Sequence, residues 1–466
     1  MALKKDCDMG STTRVEADLL GTLELPANCP WGIHTERARR NFPTLTRPVH
    51  PALIHALLTV KQACGRANAE LGYLDPAEAA ALDATATDLL RYVDPGLYPL
   101  DALQGGAGTS THMNVNEVMA RHASRTHSAP TLTPERVNLH QSTNDVYPTA
   151  LRIAAIRGVR EAGRALTSLQ GALQRREQAF HAIPTLGRTE LMPAVPMLLG
   201  AQFGGMAEAA GRDRWRTAKC EERLRTVNLG GTAVGTGIAA PRRYIFLAIE
   251  KLRELTELGL ARGENGPGET AHADAFVEVS GILKAAAVNL HKLADDLRHL
   301  HARGEIALPP VQAGSSLMPG KVNPVVCEWA IAAALQIKAH DGIITDCASL
   351  GRHQIVEFLP SLAESLLAAL DLLTAAATRL ADHVDDITAD SEACRAYLDA
   401  SESLATALVP LLGYSGTTDF VKRYRARADK QRSFRAFVEA ELGADTLARL
   451  LAPQALNALG FDDATA

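Results

Sequence analysis

A chain of 466 residues with 47% apolar side chains can bury a large core, and at about 150 residues per domain it has room for about three. Charged residues make up 22%, near the globular average, which excludes a disordered chain. Forty-eight basic against fifty-three acidic residues give a net charge of −5, which argues against nucleic-acid binding, and 5% aromatics argue against an all-β fold.

In chain order, the N-terminus MALKKDCDMGSTTRVEADLLG lacks an apolar signal core. Seven cysteines, at 7, 29, 64, 220, 327, 347 and 394, show no CxxC pair or zinc spacing, so reduced thiols in a cytoplasmic protein are expected. Residues 1–143 mix short helical windows (51–71, 76–92, 114–127) with Pro- and Gly-bearing loops. From Thr149 to about Ala182 apolar residues recur at helical spacing, with Pro148 in front and Pro184 stopping the run. Similar windows cover about 193–226, 271–302, 325–349 and 360–388. Each is roughly 25–35 residues, or about 35–50 Å as a helix. Five such helices predict a long all-α bundle. Their surfaces carry much Ala and Leu, so helices of other subunits are natural partners. The most apolar window, 360–382, contains Glu364 and Asp371, so no membrane span is expected. Residues 396–466 read as short helices, with KRYRARADKQR (422–432) as a solvated basic face. The predicted domains are 1–143, 144–395 and 396–466.

Three polar segments stand before long helices: HQSTND (140–145), LGRTE (186–190) and AGSSLMPGKVNP (313–324). A fourth, QGGAGTSTHMNVNE (104–117), opens a shorter one. Small hydroxyl residues and glycine leave backbone N–H groups free, and a helix N-terminus adds positive potential. Capping explains any one of these loops. Four of them, one carrying Lys321, point to a small polar or anionic ligand. GTGIAA (235–240) matches a dinucleotide fingerprint without the preceding strand. GSSLMPGK (314–321) has five residues between its glycines where a P-loop has four. No metal-ligand spacing occurs, so no metal is expected.

GSSLMPGKVNP (314–324) resembles the GSSxMPxKxNP signature of the aspartase/fumarase superfamily. LQGGAGTSTHMNVNEVMA (103–120), VNLHQSTNDVYPTA (137–150), LGRTELMPAVPMLLGAQF (186–203) and VNLGGTAVGTGIA (227–239) follow in the family's order. The wording QGGAGTS, QSTND and GIHTERARRNF is closer to aspartate ammonia-lyases than to class II fumarases. The resemblance implies a three-domain all-α fold with a central five-helix bundle. It further implies a homotetramer with a twenty-helix core, active sites shared by three chains, and no cofactor. The implied ligand is a small dicarboxylate or amino-acid substrate.

The implied reaction removes a proton next to one carboxylate and expels the group on the neighbouring carbon. By resemblance Ser315 is the base, while Lys321 and Asn323 hold the carboxylate that becomes an enediolate. Thr109, Ser110, Ser142 and Thr143 hold the other carboxylate or line its pocket. Asn144 and Thr189 contact the leaving group, and Ser316 adds a hydroxyl beside the base. Glu328 matches a supporting carboxylate behind the site.

Three positions depart from the family pattern. Glu190 stands where relatives have His or Gln and is expected beside the leaving group. His112 replaces an Asn, and His140 replaces a small residue before QSTND. A buried carboxylate at 190 near an anionic substrate is costly unless a cation offsets it or it is protonated, so one of Glu190 and Glu328 is expected to have a raised pKa. Those changes allow three readings: drift within an ordinary aspartase, elimination of an altered amine, or a hydratase.

Overall fold

The computed structural model of the protein describes residues 12–129, 131–427 and 433–460. Cys7 and the end of the basic stretch, 428–432, lie outside the described residues. The first elements are β1 (Thr13–Asp18), β2 (Gly21–Pro26), α1 (Ile33–Asn41), α2 (Pro51–Glu70), α3 (Pro76–Arg91), α4 (Thr109–Thr126) and α5 (Pro134–Val137). Next come α6 (Thr143–Ala179), β3 (Pro184–Thr189), β4 (Met192–Leu198), α7 (Leu199–Leu224), β5 (Thr226–Val227), α8 (Arg242–Thr256), β6 (Ala261–Arg262), α9 (Gly266–Ala271) and α10 (Asp274–Ala302). The chain ends with β7 (Ile306–Ala307), α11 (Val325–Ser349), α12 (Leu359–Asp385), β8 (Thr388–Ala389), α13 (Ser391–Ala400), α14 (Val409–Arg425), α15 (Phe434–Leu442), α16 (Ala444–Leu450) and α17 (Pro453–Asn457).

The fold is all-α in its architecture. Among the described residues the strands form four two-stranded ribbons, of which β5–β6 is parallel and the other three are antiparallel. The five long helices are α6, α7, α10, α11 and α12. Each contributes one segment to each of two compact units. The first unit holds the described residues of 1–162, 216–284 and 336–372, and the second those of 163–215, 285–335 and 373–466.

Two predicted long-helix starts move. The first long helix begins at Thr143 and carries Pro148 inside it. Ser142 caps it. Its Oγ accepts from the Asn144 N–H at 3.3 Å, while Asp145 Oδ1 accepts from the Ser142 N–H at 3.0 Å. Pro148 has no N–H for the Asn144 carbonyl, and Asn228 Nδ2 donates to that oxygen at 2.9 Å. The second helix starts at Leu199, because Pro193 and Pro196 lie in strand β4. LGRTE therefore opens no helix. It belongs to hairpin β3–β4, whose two turn residues Glu190 and Leu191 both have positive φ, 52° and 63°.

In the first unit α2 packs between α3 and α8 and is buried along most of its length. Glu117 on α4 holds the start of α1. Its carboxylate accepts from the backbone N–H groups of Gly32 (2.9 Å), His34 (2.8 Å) and Thr35 (3.1 Å). That places negative charge where the helix dipole favours it. In the second unit Leu186 packs with Leu398, Leu404, Phe420, Phe434 and Phe437. Helix α12 has the length and composition to cross a membrane, but 61% of its most apolar window is buried within the protein. The basic residues of 422–425 are exposed and paired. Arg423 reaches Glu441 at 2.7 Å and Arg425 reaches Glu402 at 2.6 Å.

Candidate functional site

In the first unit the polar loops meet around the starts of α4 and α6. Gly108 caps α4 at φ 92° and makes no side-chain cap bond. A Cβ there would lie 2.5 Å from the Tyr147 ring, so glycine is required for α4 to approach α6. Thr109 is exposed and Ser110 half-buried in the first turn of α4, which holds no acidic residue. Ser142, Thr143 and Asn144 are half-buried at the start of α6. Asn144 Nδ2 donates to the Ala233 carbonyl at 2.7 Å, which ties this turn to the glycine-rich loop after β5.

His112 and His140 have separate structural settings. His112 is 1% exposed, with Nδ1 2.8 Å from Thr143 Oγ1. Burial, followed by the charge of Lys61, holds its pKa well below the usual histidine value, so the ring is neutral. Its Nε2 is buried with no hydrogen-bond partner. His140 sits at φ 64° in the turn before α6, with Nδ1 2.8 Å from Asn68 Oδ1. Its ring contacts Tyr73 and Tyr244, at centroid distances of 4.7 and 5.2 Å.

Beneath these groups lies a buried polar network that the sequence reading missed. Lys61 is wholly buried and donates to Asn138 Oδ1 and Gln141 Oε1, each at 2.8 Å. Asp145 is also wholly buried and accepts from the backbone N–H groups of Gly230 and Thr232, each at 3.0 Å. Burial lowers the Lys61 pKa to about 7 and raises that of Asp145 to about 6. The available signal was the one Lys in the helical window 51–70, next to the apolar run Leu57, Leu58 and Val60, together with the Asp that ends QSTND.

The second unit carries the remaining candidates. The loop 314–323 closes on itself. The Gly314 N–H donates to the Lys321 carbonyl at 2.8 Å, and Asn323 Nδ2 donates to the Gly314 carbonyl at 2.9 Å. A Cβ on Gly314 would meet the backbone of Lys321 and Asn323 at 2.9 Å, which fixes glycine at this closure. Ser315 Oγ accepts from the N–H groups of Leu317 (3.1 Å) and Met318 (2.8 Å). Such donors favour an alkoxide over a hydroxyl. Ser316 and Lys321 are exposed, Asn323 is half-buried, and Glu328 is exposed in the first turn of α11.

Thr189 and Glu190 stand exposed at the tip of hairpin β3–β4. Within the single chain the two-residue turn leaves the Glu190 side chain exposed. Arg188, one residue before Thr189, makes a two-pronged ion pair with Glu305, one prong at 3.0 Å. Glu305 is wholly buried, so the pair anchors the hairpin. Glu190 also borders a groove of about 710 Å³ whose floor includes Leu166, Leu169, Met206 and Leu290. Ser315, Lys321 and Asn323 are not among its lining residues.

Comparison with known proteins identifies the family. A family model described as "Lyase" matches residues 21–338. An aspartate ammonia-lyase from Pseudomonas aeruginosa is 40% identical over 427 residues, covering 88% of this chain and 90% of that one. A class II fumarate hydratase from Xylella fastidiosa is 36% identical over 458 residues, covering 96% of both. The crystal structure of a fumarate lyase:delta crystallin from Brucella melitensis superposes with a TM-score of 0.89 at 38% identity, covering 95% of this chain and 99% of that one. The chain belongs to the lyase family of the aspartase/fumarase superfamily.

Proposed function

We propose that the protein is a carbon–nitrogen lyase that eliminates ammonia from L-aspartate to give fumarate. The observation that carries this reading is the loop 314–323, where two backbone N–H groups converge on Ser315 Oγ. In the proposed mechanism Ser315, as alkoxide, takes the proton from the carbon beside one carboxylate. Charge then moves into that carboxylate, and Lys321 and Asn323 stabilise the resulting enediolate, as preorganised donors do for developing negative charge. Collapse of the enediolate forms the double bond and expels the amine. Thr109, Ser110, Ser142 and Thr143 would bind the second carboxylate, aided by the uncapped start of α4. Asn144 and Thr189 would face the amine, with Glu190 nearby and Ser316 beside the base. Glu328, His112 and His140 would support these groups from behind. No step requires a cofactor.

A homotetramer with shared sites forms part of this reading. Helix α11 buries Val326, Ala330, Ala333, Ile337 and Ile344, yet it carries a second apolar stripe, Trp329, Ala332, Leu335, Ala339 and Ile343, that is exposed. That spacing of three and four residues suits another helix.

A second reading, fumarate hydration, draws support from the hydratase relative that covers 96% of the chain. Ultraviolet absorbance of the fumarate double bond tests the two. Fumarate and ammonia released from L-aspartate faster than fumarate from L-malate support the lyase. The reverse order supports the hydratase, and no product from either overturns both.

A further inference from the structure

We propose that Asp88, His122 and His127 form a binding site for one divalent transition-metal ion of the zinc class, joining the C-terminal ends of α3 and α4. All three residues lie in the first unit and are half-buried. Their ligand atoms lie within 4.8 Å of one another. His127 Nε2 is 3.0 Å from Asp88 Oδ2, and His122 Nε2 is 3.4 Å from the same oxygen. The two rings are tilted by 51° with centroids 5.8 Å apart, and both Nε2 atoms face the same Asp88 oxygen.

Those distances suit a bound metal as well as a His–Asp hydrogen bond. With metal–ligand bonds of about 2.0–2.1 Å, a tetrahedral site has ligand atoms about 3.3 Å apart. The two His–Asp separations bracket that value. A metal would replace the protons now shared between the imidazoles and the carboxylate, and two nitrogens with one oxygen suit zinc or cobalt(II) over magnesium or calcium. Side-chain exposures of 25–29% leave room for water as a fourth ligand.

The surroundings favour a cation. Asp88 lies in the last turn of α3. His122 lies in the last turns of α4, and His127 caps that helix, so both helix ends present their negative pole. The following residue, Ser128, has φ 52°, and the N–H groups of His127 and Ala129 both bond to the Ala123 carbonyl, which fixes the His127 backbone. The neighbouring cation is Arg91, 3.4 Å from the other Asp88 oxygen and 76% exposed, so it is free to move aside.

The test uses the full chain, stripped with chelator and titrated with zinc or cobalt(II). The expected result is one equivalent per chain by calorimetry, a visible cobalt band of nitrogen–oxygen character, and a zinc-dependent rise in melting temperature. The double variant His122→Gln/His127→Gln should bind at least about 100-fold more weakly and lose the band, since each ligand set is worth that much or more. If the double variant does not fold, Asp88→Asn carries the same expectation. No cobalt band in the wild-type chain, a band that survives in the variant, or a thiolate charge-transfer band from the cysteines overturns the proposal. The fumarate assay is independent of this site, so either proposal can fail alone.

Discussion

Asn228 Nδ2 donates at 2.9 Å to the carbonyl of Asn144, the acceptor that Pro148 leaves open in the first turns of α6. The proline thus creates a vacancy in the helix ladder, and a side chain from the loop after β5 fills it. Asn228 also reaches Thr270 Oγ1 at 3.0 Å, so the residue ties the α6 start to α9.

Removing that donor should be costly. Asn228→Ala is expected to destabilise the protein by about 1–3 kcal/mol, since it orphans a half-buried carbonyl. Pro148→Ala restores an N–H to Asn144, so the double variant should recover part of the loss. Denaturant unfolding of the four proteins reads the coupling. Strict additivity would show that the vacancy does not matter.

Ser315→Ala should cut turnover by about 10²–10⁴-fold while leaving the fold intact, because Ser315 lies in a surface loop and its removal opens no core cavity. Circular dichroism and the fumarate assay together check this. A rate near wild type removes Ser315 as the base.

The Lys61–Asp145 network should imprint stability on pH. Lys61 has a folded pKa of about 7, below its ordinary 10.5, so the unfolded chain binds more protons between those values and stability rises with pH across that window. Asp145, raised from 3.8 to about 6, acts oppositely: stability falls as pH rises across its window. Melting temperature measured against pH should show the alkaline rise in wild type and lose it in Lys61→Met. An unchanged slope in the variant counts against a buried, easily deprotonated lysine.

Breaking the Arg188–Glu305 pair should leave a charge stranded on a wholly buried carboxylate. Arg188→Met is expected to cost about 3–5 kcal/mol and to loosen the hairpin that carries Thr189 and Glu190. Arg188→Met/Glu305→Leu should be milder, as neither partner remains charged. Equal losses in the single and double variants would contradict this.

Leu335→Glu puts a charge on the exposed apolar stripe of α11. Light scattering should then show dissociation into smaller species, with activity lost in parallel. An unchanged assembly, or a wild-type protein that is already monomeric at micromolar concentration, defeats the shared-site reading.

The sequence by itself determined the long helices and the family. Apolar spacing at 3.6 residues sums over 25 or more positions, and GSSLMPGKVNP is specific wherever it folds. Only the tertiary structure decided what fills the gap at Pro148, that LGRTE turns back as a hairpin, that Glu190 is exposed within the single chain, and that Lys61 and Asp145 are buried together. It also brought Asp88, on α3, to His122 and His127, on α4. The reason is physical. Helical periodicity is a local property, written within one turn of each residue. Burial of a charge, rescue of an orphaned carbonyl and convergence of ligands depend on partners dozens of residues away, and those are chosen by packing.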